Sequence, residues 1–377
     1  MASKDIEAAA TPGYDAYASP KVVDGEIQDG ERQPKQGASI IQLLLIAMPR
    51  MAIQMTWSAQ WAALGPYLGT MLPKYAVQLT QVIGPATGII AGPAIGVYSD
   101  RSTNPWGRRR PFLFIASITS VICWILMGFT RQIGEALGDY GSGQADEPTH
   151  RPWTAFFTVF FYAWMDITVN VVQTPTFLLI SDFAGDRQTL GASIGQGWST
   201  LGSIMVAGYI YIFGAAHKSL GWFLAMLSAF MMVTVTISCI AAKETPLSKD
   251  AVEKTTAWDQ IKVAFGSIIK GLMTLPGSLS PTASSSSASS TATRRTTATR
   301  FFGFEVYDGE ATGADTCDPC TKAQDDYNHG VSVAGGSTDL IFNIVGYLFS
   351  WVVPFLVKKF GAKWVLIVSL VPQSLLM

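Results

Sequence analysis

Residues 153–180 read WTAFFTVFFYAWMDITVNVVQTPTFLLI, and Asp166 is the only charged residue among them. An α-helix needs about 20 mostly apolar residues to cross the hydrocarbon core of a bilayer, and this run of 28 residues exceeds that length. The stretch therefore predicts a membrane-spanning helix that carries one acidic side chain within it.

The same pattern recurs along the chain. Further apolar runs that predict spans lie at residues 40–67, 75–98, 111–130, 190–213, 220–241 and 339–357. The last run, residues 364–377, is too short for a span, so we expect the chain to stop inside one. The fold class that follows is an all-α polytopic membrane protein.

The composition of the whole chain agrees with this class. Of its 377 residues, 49% are hydrophobic and only 14% are charged, against about a quarter in soluble proteins, and the mean hydropathy is +0.29. These values exclude an ordinary soluble or disordered protein. The net charge of −1 gives no indication of a nucleic-acid partner.

The charges in the loops predict the orientation of the chain. The loops 99–110 and 243–270 are rich in arginine or lysine and are expected in the cytosol, with 182–188 following by alternation. The loops 131–152 and 305–335 are acidic and are expected outside. The N-terminus is then cytosolic, and the protein is expected in the plasma membrane or the vacuolar membrane.

This topology lacks one crossing between the cytosolic loop at Lys243 and the external loop at Glu305. Residues 277–300 occupy that place, and they form a Ser/Thr/Ala tract with three arginines that cannot cross a bilayer. One hypothesis is a frame error, because serine codons of the TCN type read one base earlier encode apolar residues. The alternative is a genuine low-complexity linker.

The most specific motif lies between the second and third spans. Gly-Val-Tyr-Ser-Asp-Arg at 96–101 is followed after five residues by Gly-Arg-Arg-Arg-Pro at 107–111. An aspartate at a helix end can pair with arginines of the adjacent loop and hold two helices in one conformational state. The residues of this predicted conformational latch are Gly96, Asp100, Arg101, Gly107, Arg108, Arg109 and Arg110. The alternative is a simple cytosolic anchor.

This loop resembles the signature of the major facilitator superfamily. Its lengthened form is similar to that of the glycoside–pentoside–hexuronide symporter group, which includes the sucrose/proton symporters of plants and their animal relatives. Two other patterns agree: Q-x-x-W-x-x-Q…P-Y at 54–67, and D-x-x-x-N-x-x-Q-x-P at 166–175. The resemblance implies twelve spans in two six-helix halves, of which this chain holds the first half and an incomplete second half.

Asp166 is the predicted proton-coupling residue. A carboxylate inside a span is costly in its charged form and marks a functional site by default. The resemblance implies that this aspartate couples proton movement to sugar movement. Asn170 and Gln173 follow at helical spacing and are predicted to bind substrate, although interhelical hydrogen bonds would explain them equally well.

The first span offers a second polar face. Gln54, Trp57 and Gln60 are predicted to bind sugar hydroxyls and to stack on a sugar ring, and the alternative is helix packing with an interfacial aromatic residue. One departure from the resembled family stands out. The plant symporters carry an arginine where this chain has Phe177, and Arg50 is the nearest candidate for a replacement positive charge.

Cys317 and Cys320 lie in the acidic loop, where they form either a local disulfide or free exposed thiols. A lone CxxC pair does not predict a zinc site. No phosphate-binding loop, nucleophile elbow or catalytic triad is present, so we expect neither an enzyme nor a cofactor or metal requirement. No feature indicates an oligomer.

The sequence thus predicts a proton-coupled symporter of sucrose or a similar small glycoside. The expected partners are the sugar, the proton and the lipid bilayer. The alternatives are a carrier of another solute on the same fold and an inactive truncated membrane product. The expected segments are a disordered cytosolic tail (1–38), a six-helix bundle (39–242), a central loop (243–276), the low-complexity tract (277–300), an external loop (301–336) and the last spans (337–377).

Overall fold

A computed structural model describes residues 37–141, 150–244, 256–274, 301–361, 363–365 and 367–368. The expected tail at 1–38 lies almost wholly outside these residues, and so does the tract at 277–300. The described residues are helical, and an antiparallel bridge between Tyr140 and His150 is their only β-type pairing. The predicted all-α class is therefore confirmed.

The first span consists of several helical pieces. Helix α1 covers Ile40–Ala47 and begins at Ser39, whose side chain accepts a hydrogen bond from the Gln42 amide. Helix α2 covers Pro49–Ala59, a π-helical turn covers Gln60–Leu64, and α3 covers Gly65–Gly69. The span is thus interrupted once at a proline and once at a wide turn, and both interruptions lie within membrane depth.

The remaining helices of the first part follow the predicted runs closely. Their bounds are α4 Lys74–Gln81, α5 Ile83–Asp100, α6 Arg110–Gly128, α7 Thr130–Ala136, α8 Pro152–Ala184, α9 Gln188–Phe213 and α10 Leu220–Ala241. Helix α11, Ala257–Thr274, lies within the predicted central loop (243–276). Further along the chain come a π-helical turn Phe301–Val306, α12 Lys322–Ser332, a further π-helical turn Val333–Thr338, and α13 Asp339–Phe360.

Six helical stretches among the described residues have the length and hydropathy of a membrane span. One of them, Pro152–Phe213, is 62 residues long and contains both α8 and α9. Large apolar side chains on the outer surfaces remain exposed, among them Ile90, Trp222 and Phe355. An exposed apolar belt of this kind is what lipid tails cover.

The buried core lies between the helices of the first part. Its largest fully buried side chains include Trp124 on α6, Tyr162 and Met165 on α8, and Phe223 on α10. Lipid is as apolar as these side chains, so helix association depends on close packing and on interhelical hydrogen bonds. Helix α8 contributes to both, and it also carries Asp166.

Polar contacts gather at the two ends of the bundle. We name one end the arginine face, where Arg109 at the start of α6 meets Asp182 near the end of α8. We name the other end the acidic face, where Arg151 before α8 meets Asp315. Glu244 lies at the arginine face beside Arg110, whereas Asp315 lies at the acidic face.

Helices α2 and α9 approach each other most closely at Gly202. A Cβ atom at this position would overlap the backbone of Met51, including its carbonyl oxygen. Gly208 lies on the same helix, and a Cβ atom there would meet nothing within 4 Å. Helix packing therefore requires a glycine at position 202 but not at position 208, so the second glycine serves as a control for the first.

We expect Gly202→Ala to lower the stability of the folded protein by about 1–3 kcal/mol, because the added methyl group forces the two helices apart. Gly208→Ala should leave stability unchanged or raise it slightly, since alanine favours the helix. Thermal unfolding of both variants in detergent measures the difference. Equal melting temperatures would contradict the close approach of α2 and α9.

Candidate functional site

Asp166 lies fully buried on α8 and contacts the first span. The Gln60 side-chain amide donates a hydrogen bond to Asp166 Oδ1, and the Tyr162 hydroxyl lies 3.4 Å from Gln60 Oε1. The second carboxyl oxygen, Oδ2, is buried and has no hydrogen-bond partner among the described residues. The carboxyl group is therefore held at one oxygen and unsatisfied at the other.

Gln60 lies where α2 passes into the π-helical turn. Its own amide donates to the Thr56 carbonyl, as in a regular α-helix, and the amide of Gly65 donates to the Gln60 carbonyl, five residues earlier, which widens the helix after Gln60. Such π-turns are frequent at functional sites. Gln54 and Gln60 are six residues apart, about 120° around a regular helix, so Gln60 reaches α8 whereas Gln54 reaches α9.

Glycines on α5 allow α8 to approach closely beside Asp166. A Cβ atom at Gly84 would lie 3.3 Å from Asp166 Oδ2 and 3.2 Å from Trp57 Cζ3. A Cβ atom at Gly88 would lie 3.0 Å from Asn170 Oδ1. Small residues one helical turn apart thus line the groove that receives the polar side of α8.

Asn170 connects α8 to α5. Its amide nitrogen donates to the Gly84 carbonyl at 3.3 Å, to Thr87 Oγ1 at 3.1 Å and to the Asp166 carbonyl at 2.8 Å. The first two are the interhelical contacts that the packing interpretation of Asn170 expects, and the third lies within α8. A role in sugar binding stays a prediction for this residue.

The other predicted sugar-binding residues lie half-buried between helices. Trp57 Nε1 donates to Gln173 Oε1 at 2.9 Å, so this pair joins α2 to α8. Gln54 Oε1 accepts from Ser199 Oγ at 3.2 Å and joins α2 to α9. Gln54, Trp57 and Gln60 therefore do not share one partner helix, although all three lie on the inner side of the first span.

The departure at Phe177 is accompanied by a positive charge from another helix. The guanidinium of Arg50 lies over the Phe177 ring, 4.2 Å from its centroid, and Arg50 Nε donates to the Gly195 carbonyl at 3.4 Å. Phe177 follows Asp166 by three helical turns, about 16 Å along α8. Among the described residues, Arg50 therefore contacts Phe177, whereas the hydrogen-bond partner of Asp166 is Gln60.

The predicted latch at the arginine face is centred on Arg109, which is 4% exposed. Arg109 Nη2 lies 3.0 Å from Asp100 Oδ1, and Arg109 Nε lies 2.7 Å from Asp182 Oδ2. Its Nη1 donates to Ser99 Oγ at 3.2 Å. Arg108 adds a longer contact of 3.7 Å to Asp182. One buried guanidinium therefore joins the ends of α5 and α8 to the start of α6.

Glu244 brings a fourth helix end to this cluster. Its carboxylate accepts from the Arg109 and Arg110 amides at 3.0 and 3.1 Å, and Arg110 Nε lies 3.8 Å away. Gly107 has φ +122°, and a Cβ atom there would lie 2.5 Å from Glu244 Oε2. Glycine is thus required at 107 by both its backbone conformation and the space available.

The two remaining predicted latch residues are Gly96 and Arg101. Arg101 directly follows α5. A Cβ atom at Gly96 would meet nothing within 4 Å, so packing does not explain a glycine there.

Two carboxylates of this cluster were not among the predicted latch residues. Asp182 ends the polar run of α8, and Glu244 follows the sixth span. Each is an acidic residue at the cytosolic end of a predicted span, opposite a loop with four arginines. This combination in the sequence indicates that the two carboxylates pair with the arginine-rich loop, but it does not indicate which arginine each carboxylate contacts.

The acidic face joins the loop 301–332 to the first part of the chain. Arg151 Nη1 lies 3.2 Å from Asp315 Oδ2, and the side chains of Arg151 and Asp315 are both buried. Arg151 Nη2 also donates a hydrogen bond to Thr316 Oγ1 at 2.9 Å. His217 Nε2 lies 2.7 Å from Asn328 Oδ1. Close by, Cys317 and Cys320 are joined by a disulfide. The described residues contain no cluster of histidine, cysteine or carboxylate side chains suited to a metal ion.

Residues 45–268 match a family model described as MFS/sugar transport protein. The chain is 29% identical over 357 residues to the sucrose transport protein SUT5 of Oryza sativa subsp. indica, which covers 88% of this chain and 64% of that protein. It is 30% identical over 197 residues to the sucrose transport protein SUC3 of Arabidopsis thaliana, which covers 52% and 32%. The chain thus spans less than two thirds of the length of these relatives. Because the matched family segment is more than half of the chain, the chain belongs to the MFS/sugar transport protein family.

Proposed function

We propose that this chain acts in the proton-coupled transport of sucrose or a similar small glycoside across a membrane. The observation that carries the proposal is the fully buried Asp166, which has one oxygen bound by Gln60 and one oxygen without a partner among the described residues. The relatives named above are sucrose transport proteins, and this supports the choice of substrate.

In this proposal Asp166 is the proton-binding group. Burial in an apolar bundle disfavours an ionised carboxylate, so the acid form is stabilised unless donors satisfy both oxygens. Gln60 can donate to one oxygen only, because its own carbonyl oxygen faces the Tyr162 hydroxyl. A proton on Oδ2 would remove the buried negative charge, which is the costliest part of the unsatisfied carboxylate.

The sugar is proposed to bind along the half-buried side of α2, next to α8 and α9. Gln54, Trp57 and Gln173 offer amide groups for hydroxyls and an indole face for the apolar side of a sugar ring. Trp57 also contacts the groove beside Asp166 through Gly84. Sugar and proton would therefore act on adjacent parts of the same helix interface.

Transport requires that the two faces open in turn, and each ligand shifts this equilibrium only by its differential affinity for the two states. The arginine-face cluster holds four helix ends of the first part together. The acidic-face contacts instead join the first part to residues 301–332. We propose that the acidic-face contacts separate during each cycle, that the acidic face is extracellular, and that the protein resides in the plasma or vacuolar membrane with a cytosolic N-terminus.

Asp166→Asn is expected to abolish accumulation of sucrose against its gradient, because asparagine cannot carry the exchanged proton. Sucrose counterflow, which needs no net proton movement, should continue. Radiolabelled uptake into proteoliposomes under an imposed pH gradient measures both. Asp325→Asn, on the exposed side of α12, is the matched control.

If Asp166→Asn accumulates sucrose as well as the wild-type chain does, Asp166 is not the proton-coupling residue. Competition by unlabelled sugars in the same assay tests the substrate. If sucrose and related glycosides fail to compete while another solute does, the substrate part of the proposal is wrong.

Arg151→Gln and Asp315→Asn are each expected to lower stability by about 3–5 kcal/mol, because each leaves one buried charge unpaired. The double variant should lose less than the sum of the two, since it removes both charges. Thermal unfolding of the three variants gives the coupling energy. Arg131→Gln breaks an exposed pair with Glu135 and should cost at most about 1 kcal/mol.

If the two single variants behave like Arg131→Gln and show no coupling, the acidic-face pair does not join the two parts of the chain.

A further inference from the structure

Arg50 is a positively charged residue deep within the first span. It lies ten residues after Ile40, about 15 Å along the helix, which is close to half the thickness of a bilayer core. Its side chain is half-buried. An ionisable side chain at this depth is costly and requires a partner or a function.

The described residues offer Arg50 no carboxylate. The ion pairs that they form involve other arginines and a lysine, and the recorded contacts of Arg50 are the Phe177 ring and the Gly195 carbonyl. The Nε atom is used by Gly195, while the terminal nitrogens Nη1 and Nη2 donate to no described residue and are not among the buried unpaired atoms. The Nη1 and Nη2 groups of Arg50 are thus two hydrogen-bond donors that have no described acceptor and that a ligand can reach.

The guanidinium is held in a fixed place rather than extended freely. Its Cζ atom lies 4.2 Å from the centroid of the Phe177 ring on α8, and a Cβ atom at Gly195 on α9 would lie 3.6 Å from Arg50 Nε. Arg50, Gln54 and Trp57 follow at i, i+4 and i+7, so they share one side of α2. Each of the three contacts α8 or α9, and each is half-buried.

We propose that Arg50 is a sugar-binding residue, with Nη1 and Nη2 donating to two adjacent hydroxyl oxygens of the glycoside. This inference rests on the proposed function and extends the binding side of α2 by one helical turn toward the arginine face. The planar fork of a guanidinium matches two neighbouring oxygens, which an ammonium group does not. Phe177 acts as a positioning residue, because its ring fixes the plane of that fork.

Equilibrium binding of radiolabelled sucrose to the purified full chain in lipid nanodiscs tests this role without requiring transport. Arg50→Lys and Arg50→Gln are each expected to weaken sucrose binding about tenfold or more, because lysine keeps the charge but loses the planar pair of donors, and glutamine loses both. Phe177→Leu should weaken binding about twofold to fivefold by releasing the guanidinium. Arg131→Lys and Arg131→Gln, at the exposed pair with Glu135, are the matched arginine controls.

Melting temperatures of the same samples report whether each variant is folded, and Asp166→Asn reports the proton site separately. If the wild-type chain binds sucrose and both Arg50 variants bind it equally well, the inference is wrong while the proposed function stands. If the wild-type chain binds no sucrose, both the inference about Arg50 and the proposed function are wrong. If Arg50→Gln abolishes binding of a sugar acid but not of sucrose, Arg50 recognises an anion, and the hydroxyl assignment is wrong.

Discussion

The contact between Gln60 and Asp166 is the interaction on which the rest of this site depends. A carboxyl group buried in an apolar bundle has to be satisfied locally, and Gln60 satisfies one of its oxygens. The other oxygen lies beside Gly84 of α5, where a Cβ atom would come within 3.3 Å of Oδ2. Three spans are therefore positioned around a single ionisable group, and a change in its protonation acts on all three.

The two faces of the bundle are held by different kinds of contact. At the arginine face, a buried arginine and Glu244 join four helix ends within one part of the chain. At the acidic face, a buried ion pair and a histidine–asparagine contact join two parts that are distant in sequence. A bistable packing of this kind converts small local changes into separation of whole segments. We propose that this separation occurs at the acidic face, between the first part of the chain and residues 301–332.

The apolar runs, the arginine-rich loop and the position of Asp166 inside a span could be read from the sequence because each depends on local composition or spacing. The partners could not be read in the same way. The contact of Gln60 with Asp166 and that of Arg50 with Phe177 each join helices that are far apart in the chain, and no local spacing encodes such pairs. Gln54 and Gln60 are about 120° apart around a regular helix, and they reach different helices, α9 and α8.

We propose that Asp166 exchanges a proton when sugar binds. Infrared difference spectroscopy of the lipid-embedded chain, recorded on addition of sucrose, observes the carbonyl stretch of a protonated carboxyl group directly. A sucrose-induced carboxyl band is expected in the wild-type chain and should disappear in Asp166→Asn. A band that persists unchanged in the variant, or sucrose binding without any carboxyl band in the wild type, would rule out this exchange.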